Sequence, residues 1–482
     1  MRFFQLTTFY DGYLDAFYRE HPDVLEMSYA DHQRAIIADG FGGGHIIAPY
    51  LNEIGYESTF SVVNSRPLQE RWCLENGIAF PNWPGGVKEL AAAQVAAFDP
   101  DVLYLLDPTS YDNAFLKMLP RQPRLVLGWR CASIPISVDW RNFDAILSAW
   151  SPCLDTARSR GAGDAIYAIP GFAAFMAEHV RGIPKRHDVV FCGSFTPAHS
   201  FRSNLLCEIA EARLGPRGDF DLAFFMLAPT PEAMPEGLAR HDHGPRWGRD
   251  MYETLASGRI ILNAGIDFSV NEAPSMRVLE TTGCGSFLLT ERHRNISAFF
   301  KPGEEVETFE DSEEMLDKIY YYLAHPEERE RIAARGQARC LRDYSQNRRA
   351  RAFDALVRRK MVSEPEASFP ADPAALRQEA QRLSGEAGKN SQGQASPKLS
   401  GLVKYILSLA VNAAQAGDAG LASELLGIVD ATGVEALDRS YCRALLHMAR
   451  GDAAGAEAEA RLEVAAHPEN DRARALLSSL LH

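Results

Sequence analysis

Short apolar runs alternate with longer amphipathic ones over the first 360 residues. The runs Phe3–Phe9, Ser58–Asn64, Asp101–Asp107, Arg124–Arg130, Ala145–Trp150 and Ala165–Pro170 predict strands. Asp31–Asp39, Ile46–Ile54 and Val87–Ala97 have helical spacing between them. The layout then recurs. Strands are predicted at Asp188–Gly193, Phe220–Leu227, Arg259–Ala264, Ser286–Thr290 and Glu304–Phe309, and helices at Phe201–Ala212, Arg249–Ala256, Met276–Thr282, Ser312–His325 and Glu327–Asp343. Alternating β and α of this kind predicts parallel sheets covered on both faces. Two such units, 1–170 and 171–362, make the fold class α/β, with two doubly wound Rossmann-like domains joined near Pro170–Lys185. A cleft between two such domains is the default ligand site.

The pattern changes after residue 362. Residues 363–398 are rich in Ser, Pro, Gly, Gln and Ala and read as a linker with one short helix, Pro373–Leu383. Residues 399–482 are Ala- and Leu-rich without a strand signal, and Pro468 followed by Arg472–Leu481 fits a last helix. Gly417-Asp418 recurs as Gly451-Asp452, and Ala419, Ala422 and Ile428 fall on Ala453, Ala456 and Leu462. That 34-residue offset is the tetratricopeptide period, so an all-α tetratricopeptide-like domain is expected. A generic antiparallel helical bundle is the alternative.

Composition narrows the function. The 482 residues carry a formal net charge of −14, with 46% hydrophobic and 24% charged residues. This is ordinary globular composition, and the acidic balance argues against nucleic acid as a partner. No apolar run approaches the roughly 18–20 residues that span a bilayer, and the start MRFFQLTTFYDGYLDAFYRE lacks a signal-peptide pattern. The eight cysteines contain no CxxC pair and read as reduced, mostly buried thiols, so a cytoplasmic location is expected.

Three stretches carry candidate chemistry. The first is Gly42-Gly43-Gly44-His45, ahead of the helix pattern that starts at Ile46. A glycine loop opening a helix exposes amides to an anion, or is simply a tight reversal. The second is Phe191-Cys192-Gly193-Ser194-Phe195-Thr196, followed by His199 and Arg202. It sits at the carboxyl end of the first strand of the second domain, where such sheets bind ligands. Gly193 lets a diphosphate approach, Ser194 or Thr196 can donate to it, and Arg202 can offset its charge. Alternatively, Ser194 or Thr196 caps a helix and Arg202 is solvated. The third runs from Val270 through Glu272, Pro274, Ser275, Met276, Arg277 and Glu280 to Gly285. Pro274 and Ser275 suit a helix start. Glu280 falls inside the helix among apolar residues, where a carboxylate needs a partner. Ribose hydroxyls or Arg277 would serve.

This third stretch carries a resemblance. Residues 31–353 resemble the CgeB-type, spore-maturation-like glycosyltransferases, related to group 1 glycosyltransferases of the GT-B fold. The most specific part is Asn263 followed by Ser275-Met276-Arg277-Val278-Leu279-Glu280-Thr281-Thr282-Gly283-Cys284-Gly285-Ser286-Phe287. After it come Phe300-Lys301-Pro302-Gly303 and His325-Pro326-Glu327-Glu328-Arg329, while Asn64, Leu68–Trp72 and Pro100–Tyr104 match in the first half. Ser275 departs from the family pattern, which usually has Asn before x-Arg.

The resemblance implies an enzyme that moves a sugar from a nucleotide-sugar donor to an acceptor, with the nucleotide-sugar as co-substrate and no separate cofactor. It implies that Glu280 holds the ribose hydroxyls, Glu272 lies near the donor sugar and Gly193-Ser194 meets the diphosphate, with Arg277 or Arg202 offsetting its charge. Asn263, Ser275 and Tyr252 belong to the same donor side. In the resembled family the stretch around Trp247 and Tyr252 approaches the base or donor sugar, although core packing explains these aromatics equally well. GT-B enzymes stabilise the leaving diphosphate with amides, helix dipoles and cations rather than a metal. The sequence has no DxD-like pair between strands, and the E-x7-E spacing points to retention. His45 and Asp107 are candidates for catalysis from the first domain, and Gly42, Gly43 and Gly44 form an acceptor-side loop. A protein acceptor or partner held by residues 401–482 is the expected role of the tail. A catalytically silent sugar-nucleotide scaffold and a GT-B nucleotide-sugar epimerase remain alternatives.

Two clusters take bland readings. His241-Asp242-His243 has no third ligand at metal-like spacing and reads as a loop, and Arg217-Gly218-Asp219 reads as a turn.

Overall fold

Successive residues of the strand His187–Ser194 alternate between two cores: Val189 and Phe191 enter one, Val190 and Cys192 the other. Both faces are buried, so the strand reads as a continuous apolar run. The computed structural model describes residues 1–196, 200–212, 220–228, 234–265, 272, 275–362, 372–386, 396–415, 417–436, 438–467, 470, 473, 476–477 and 480–481.

The first sheet contains β1 (Arg2–Thr7), β2 (Glu57–Val62), β3 (Val102–Leu105), β4 (Leu125–Trp129), β5 (Ala145–Ser148) and β6 (Ala165–Tyr167). All pairs are parallel, in the order β2-β1-β3-β4-β5-β6. The helices α1 (Asp11–Glu20), α2 (Tyr29–Asp39), α3 (Ala48–Asn52), α4 (Arg66–Glu75), α5 (Val87–Phe98), α6 (Asn113–Leu116), α7 (Ser151–Ser159) and α8 (Phe175–His179) accompany it. The second sheet contains β7 (His187–Ser194), β8 (Leu222–Leu227), β9 (Gly258–Asn263), β10 (Phe287–Glu291) and β11 (Glu307–Phe309), parallel in the order β11-β10-β9-β7-β8. Its helices are α9 (Ser200–Ala212), α10 (Glu236–Ala239), α11 (Gly248–Ser257), α12 (Met276–Gly283), α13 (Ser312–Ala324), α14 (Pro326–Tyr344) and α15 (Gln346–Val362). Strand order reverses beside β1 and beside β7, which makes each a switch point where the carboxyl ends open a crevice.

The last helix of this part does not stay with the second sheet. Phe353 on α15 lies edge-on to Phe3 of β1 with ring centroids 5.7 Å apart, and Tyr56 donates to Asp354 at 2.6 Å. Gln346 donates to the Gly43 carbonyl at 2.7 Å. The chain therefore crosses back onto the first sheet within 171–362. The reason is an apolar stripe on α15 whose ring partners lie on β1 and β3, Phe3 and Tyr104.

Residues Met1–Arg358 form one compact unit and Arg359–His482 a second. The second is helical: α16 (Pro373–Glu386), α17 (Pro397–Gln415), α18 (Ala419–Thr432), α19 (Arg439–Ala449) and α20 (Ala453–Ala466). Helix α16 lies in the expected linker, yet Leu376, Ala380 and Leu383 are buried with Leu402, Ile406 and Leu425. It is part of the tail's core, because its leucines fall on one face. Residues 363–371 and 387–395 and half of Arg472–Leu481 lie outside the described residues. The 34-residue offset recurs as a repeated cap: Asp418 accepts from the Leu421 amide and Asp452 from the Gly455 amide, both at 2.9 Å.

Candidate functional site

The carboxyl ends of both sheets face one cleft of about 670 Å³. Thr8 after β1, Trp129 ending β4 and Trp150 after β5 line one wall; Gly193, Ser194 and Gly265 line the other. Helix α12 points its first turn at this space, with Ser275, Met276, Arg277 and Glu280 all on the lining.

Arg277 and Glu280 are an ion pair at 2.9 Å, with side chains only 19% and 13% exposed. Arg277 also donates from Nε to the Cys192 carbonyl at 3.0 Å, which fixes α12 to the end of β7. Burial works against the Arg277 charge, but the Glu280 carboxylate, together with Cys192, Tyr252 and Cys284 beside it, outweighs this and holds the guanidinium above its ordinary pKa. Ser275 occupies the N-cap position, yet its side chain makes no capping bond and its buried hydroxyl has no partner among the described residues. A buried unpaired hydroxyl costs free energy unless a ligand completes it. Pro274 lies outside the described residues.

Glu272 spans the cleft. Its side chain is 5% exposed, accepts from the Ser151 amide at the start of α7 at 3.0 Å and pairs with Arg294. Burial raises its pKa, but the Ser151 amide and the Arg294 guanidinium outweigh this and hold the carboxyl below the usual range. An acid at a helix N-terminus is favoured by the helix dipole.

The glycine loop takes the second of its two readings, a tight reversal. Helix α3 starts only at Ala48, is five residues long, and the amides of Ile47 and Ala48 already donate to Gln5 Oε1. The loop opens no free helix terminus. Gly42 lines the cleft with φ +67°, where only glycine is at ease. Gly43 and Gly44 are joints: a Cβ on Gly44 would fall 2.6 Å from the Gly171 carbonyl oxygen and against Met276 of α12. His45 reaches the cleft, its ring 5.1 Å from Trp129, and burial pushes its pKa down to about 4.

Four candidates are used elsewhere. Arg202 donates to the carbonyls of Ser194, Ala264 and Gly265 and so ties together the ends of β7 and β9 rather than facing the cavity. Tyr252 is 1% exposed, with its hydroxyl 3.5 Å from the Gly40 carbonyl, and packs on Phe172. Asn263 is buried and donates to Thr290 at 2.8 Å. Asp107 accepts from Thr109 and Ser110 and shapes a turn. None of the four lines the cleft. His199 and Arg217-Gly218-Asp219 lie outside the described residues.

Three groups were not visible as site residues in the sequence. Arg130 and Arg246 line the cleft and have no carboxylate partner among the described residues, while Arg294 holds Glu272. Their separation along the chain hides them, and only the sheet order brings them together. His241-Asp242-His243 runs beside β8: Asp242 bridges Phe224, and its carboxylate accepts from the Met226 amide at 2.9 Å. Among the described residues no group of three His, Cys, Asp or Glu side chains is placed to hold a metal ion. No described helix is long and apolar enough to cross a membrane. All eight cysteines are free; six are buried, and Cys131 is exposed on the cleft wall.

Residues 224–355 match the family described as glycosyl transferase-like. The matched stretch is similar to that family. It contains β9, α12 and the Arg277–Glu280 pair, whereas Gly193 and Ser194 precede it. Solved structures similar to the chain include a glycosyltransferase from Rickettsia africae, 12% identical, covering 75% of this chain and 99% of that one with a TM-score of 0.47. HepE of Anabaena in complex with UDP and glucose is 11% identical over 74% of this chain and 100% of its own, with a TM-score of 0.48. Sucrose-phosphate synthase of Thermosynechococcus elongatus is 11% identical over 76% and 100%, with a TM-score of 0.46. No curated protein matches the chain.

Proposed function

We propose that this protein is a nucleotide-sugar-dependent glycosyltransferase of the CgeB type in a GT-B arrangement. The observation that carries the reading is the buried Arg277–Glu280 pair on the cleft-facing turn of α12, beside Gly193 and a buried Ser275 hydroxyl that has no partner among the described residues. Glu280 accepts the ribose hydroxyls. Gly193, Ser194 and the first turn of α12 receive the diphosphate. Arg277 and Arg246 supply its counter-charge.

In the reaction an acceptor hydroxyl oxygen bonds to the anomeric carbon. The bond from that carbon to the donor phosphate breaks, and the nucleoside diphosphate leaves with the electron pair. The hydroxyl proton passes to the departing phosphate oxygen. Amides, the α12 dipole and arginines stabilise the growing charge without a metal. The E-x7-E pair Glu272 and Glu280 supports retention of configuration. His45, neutral in this setting, is positioned on the acceptor side with Gly42. The helical unit is tetratricopeptide-like and recruits a protein that carries the acceptor, and the eight free cysteines support the cytoplasm as the place of this protein glycosylation.

A thermal-shift screen across nucleoside diphosphates, followed by radiolabelled nucleotide sugars, tests the reading. Expected is a raised melting point with one nucleotide and acceptor-dependent labelling or slow donor hydrolysis. A flat response to every nucleotide would overturn it.

A further inference from the structure

Tyr10, Phe41 and Trp247 form a corner of rings on the cleft wall. Tyr10 follows β1, Phe41 belongs to the glycine loop and Trp247 precedes α11, so the corner is assembled from both halves of the first unit. Ring centroids lie 5.6–6.1 Å apart, and the planes are mutually tilted by 53°, 63° and 75°. Tyr13 stacks on one face of Phe41 at 3.8 Å and fixes it from behind. Tyr10 is 64% exposed, so this aromatic surface is left facing the cleft rather than buried in the core.

Three properties restrict the ligand. Tilted rings do not form the parallel slot that a flat base or aryl group needs; they suit a puckered ring with apolar C–H patches. The rim is polar, with exposed Thr8, the Gly42 backbone and the Arg246 guanidinium, which suits hydroxyls and not an alkyl chain. Among the described residues the carboxylates on the lining, Glu272 and Glu280, are already ion-paired, so neither is left to select a cation.

We infer that the corner of Tyr10, Phe41 and Trp247 is an acceptor subsite for a pyranose ring, so that the attacking hydroxyl belongs to a sugar already present on the acceptor. This rests on the glycosyltransferase reading and narrows it to sugar-to-sugar transfer.

The test is saturation-transfer NMR on the full chain, with methyl β-D-glucopyranoside, methyl β-D-galactopyranoside and methyl α-D-mannopyranoside as probes. It is run with the nucleoside diphosphate that raises the melting point. Expected is saturation of ring C–H protons of at least one glycoside, reduced at least fivefold in Tyr10→Ala and retained in Tyr10→Phe. The nucleotide should still raise the melting point of Tyr10→Ala, which shows that the fold and the donor side are intact. Absence of saturation from all three glycosides, or equal saturation in Tyr10→Ala, would overturn the subsite while the donor reading stands. A chain that answers to no nucleotide loses both.

Discussion

Arg277 and Glu280, one turn apart on α12, face each other at 2.9 Å at the edge of the cleft, and the same guanidinium reaches the carbonyl of Cys192. The pair therefore couples the Glu280 carboxylate to the end of β7. Two charges this buried hold each other in place, and removing one leaves the other uncompensated. Glu280→Gln keeps the shape but loses the charge-assisted acceptor. Nucleotide affinity should fall about tenfold or more, near 1.4 kcal/mol per decade, measured by calorimetric titration. Unchanged affinity would remove Glu280 from the site.

Glu272 gives a pH signature. Its folded pKa lies below the ordinary carboxyl value. Its stabilisation is thus complete above the unfolded pKa and is lost as pH falls through the folded one. Glu272→Gln should cost about 1–2 kcal/mol at pH 7, as expected for a charge-assisted bond with one exposed partner. Urea unfolding at pH 7 and near pH 3 checks this: the gap between wild type and variant should narrow in acid.

His45 and His32 act in the same direction, both pushed down to about 4 by burial. A histidine with a lowered folded pKa stabilises fully above its ordinary 6.5, and that contribution is lost as pH drops from 6.5 toward 4. The imidazole resonances of both should stay unshifted from pH 8 to 5.5, and His45→Gln should recover about 1–2 kcal/mol of stability near pH 4.5. An imidazole midpoint near 6.5 for His45 would contradict its burial.

The strands and the α12 site were legible because each is local. Val189 to Cys192 announce a strand buried on both faces, and Glu280 inside an apolar helix announces a carboxylate in need of a partner. What stayed hidden was set by long-range placement. Arg202 resembles a phosphate ligand in its motif, but carbonyls 62 and 63 residues away claim its guanidinium. Asn263 is claimed by Thr290 on the neighbouring strand. Arg246, Arg130 and the Tyr10 corner enter the cleft only through sheet order, which no local pattern records. The return of α15 to the first sheet likewise depends on Phe3 and Tyr104, hundreds of residues earlier.

The helical unit has its own buried acid. Glu463, 2% exposed, accepts from the amides of Asp438, Ser440 and Tyr441 and from the Asn470 side chain, at 2.6–3.3 Å. It closes the start of α19, where Asp438 adopts φ +74°. Glu463→Ala orphans these donors and should cost about 2–4 kcal/mol. All six tryptophans precede residue 248. Loss of helical circular dichroism at lower urea, with the tryptophan fluorescence transition unmoved, would localise the effect; a shifted fluorescence transition would refute independent unfolding.

Gly44 is a joint between the glycine loop and α12. An alanine there would set its Cβ 2.6 Å from the Gly171 carbonyl oxygen and against the methyl end of Met276. Met276 can swing away, but the Gly171 backbone is tied to Gly44 by a 2.8 Å hydrogen bond and cannot. The strain should cost about 1–3 kcal/mol, as for overpacking in a core. Since Met276 is the first residue of α12, the displacement should also weaken nucleotide binding. Gly237→Ala, with open space around its Cβ, is the control. Melting curves with and without nucleotide should show a lowered baseline and a smaller nucleotide shift for Gly44→Ala alone. Equal behaviour of the two variants would mean that the glycine loop does not set the position of α12.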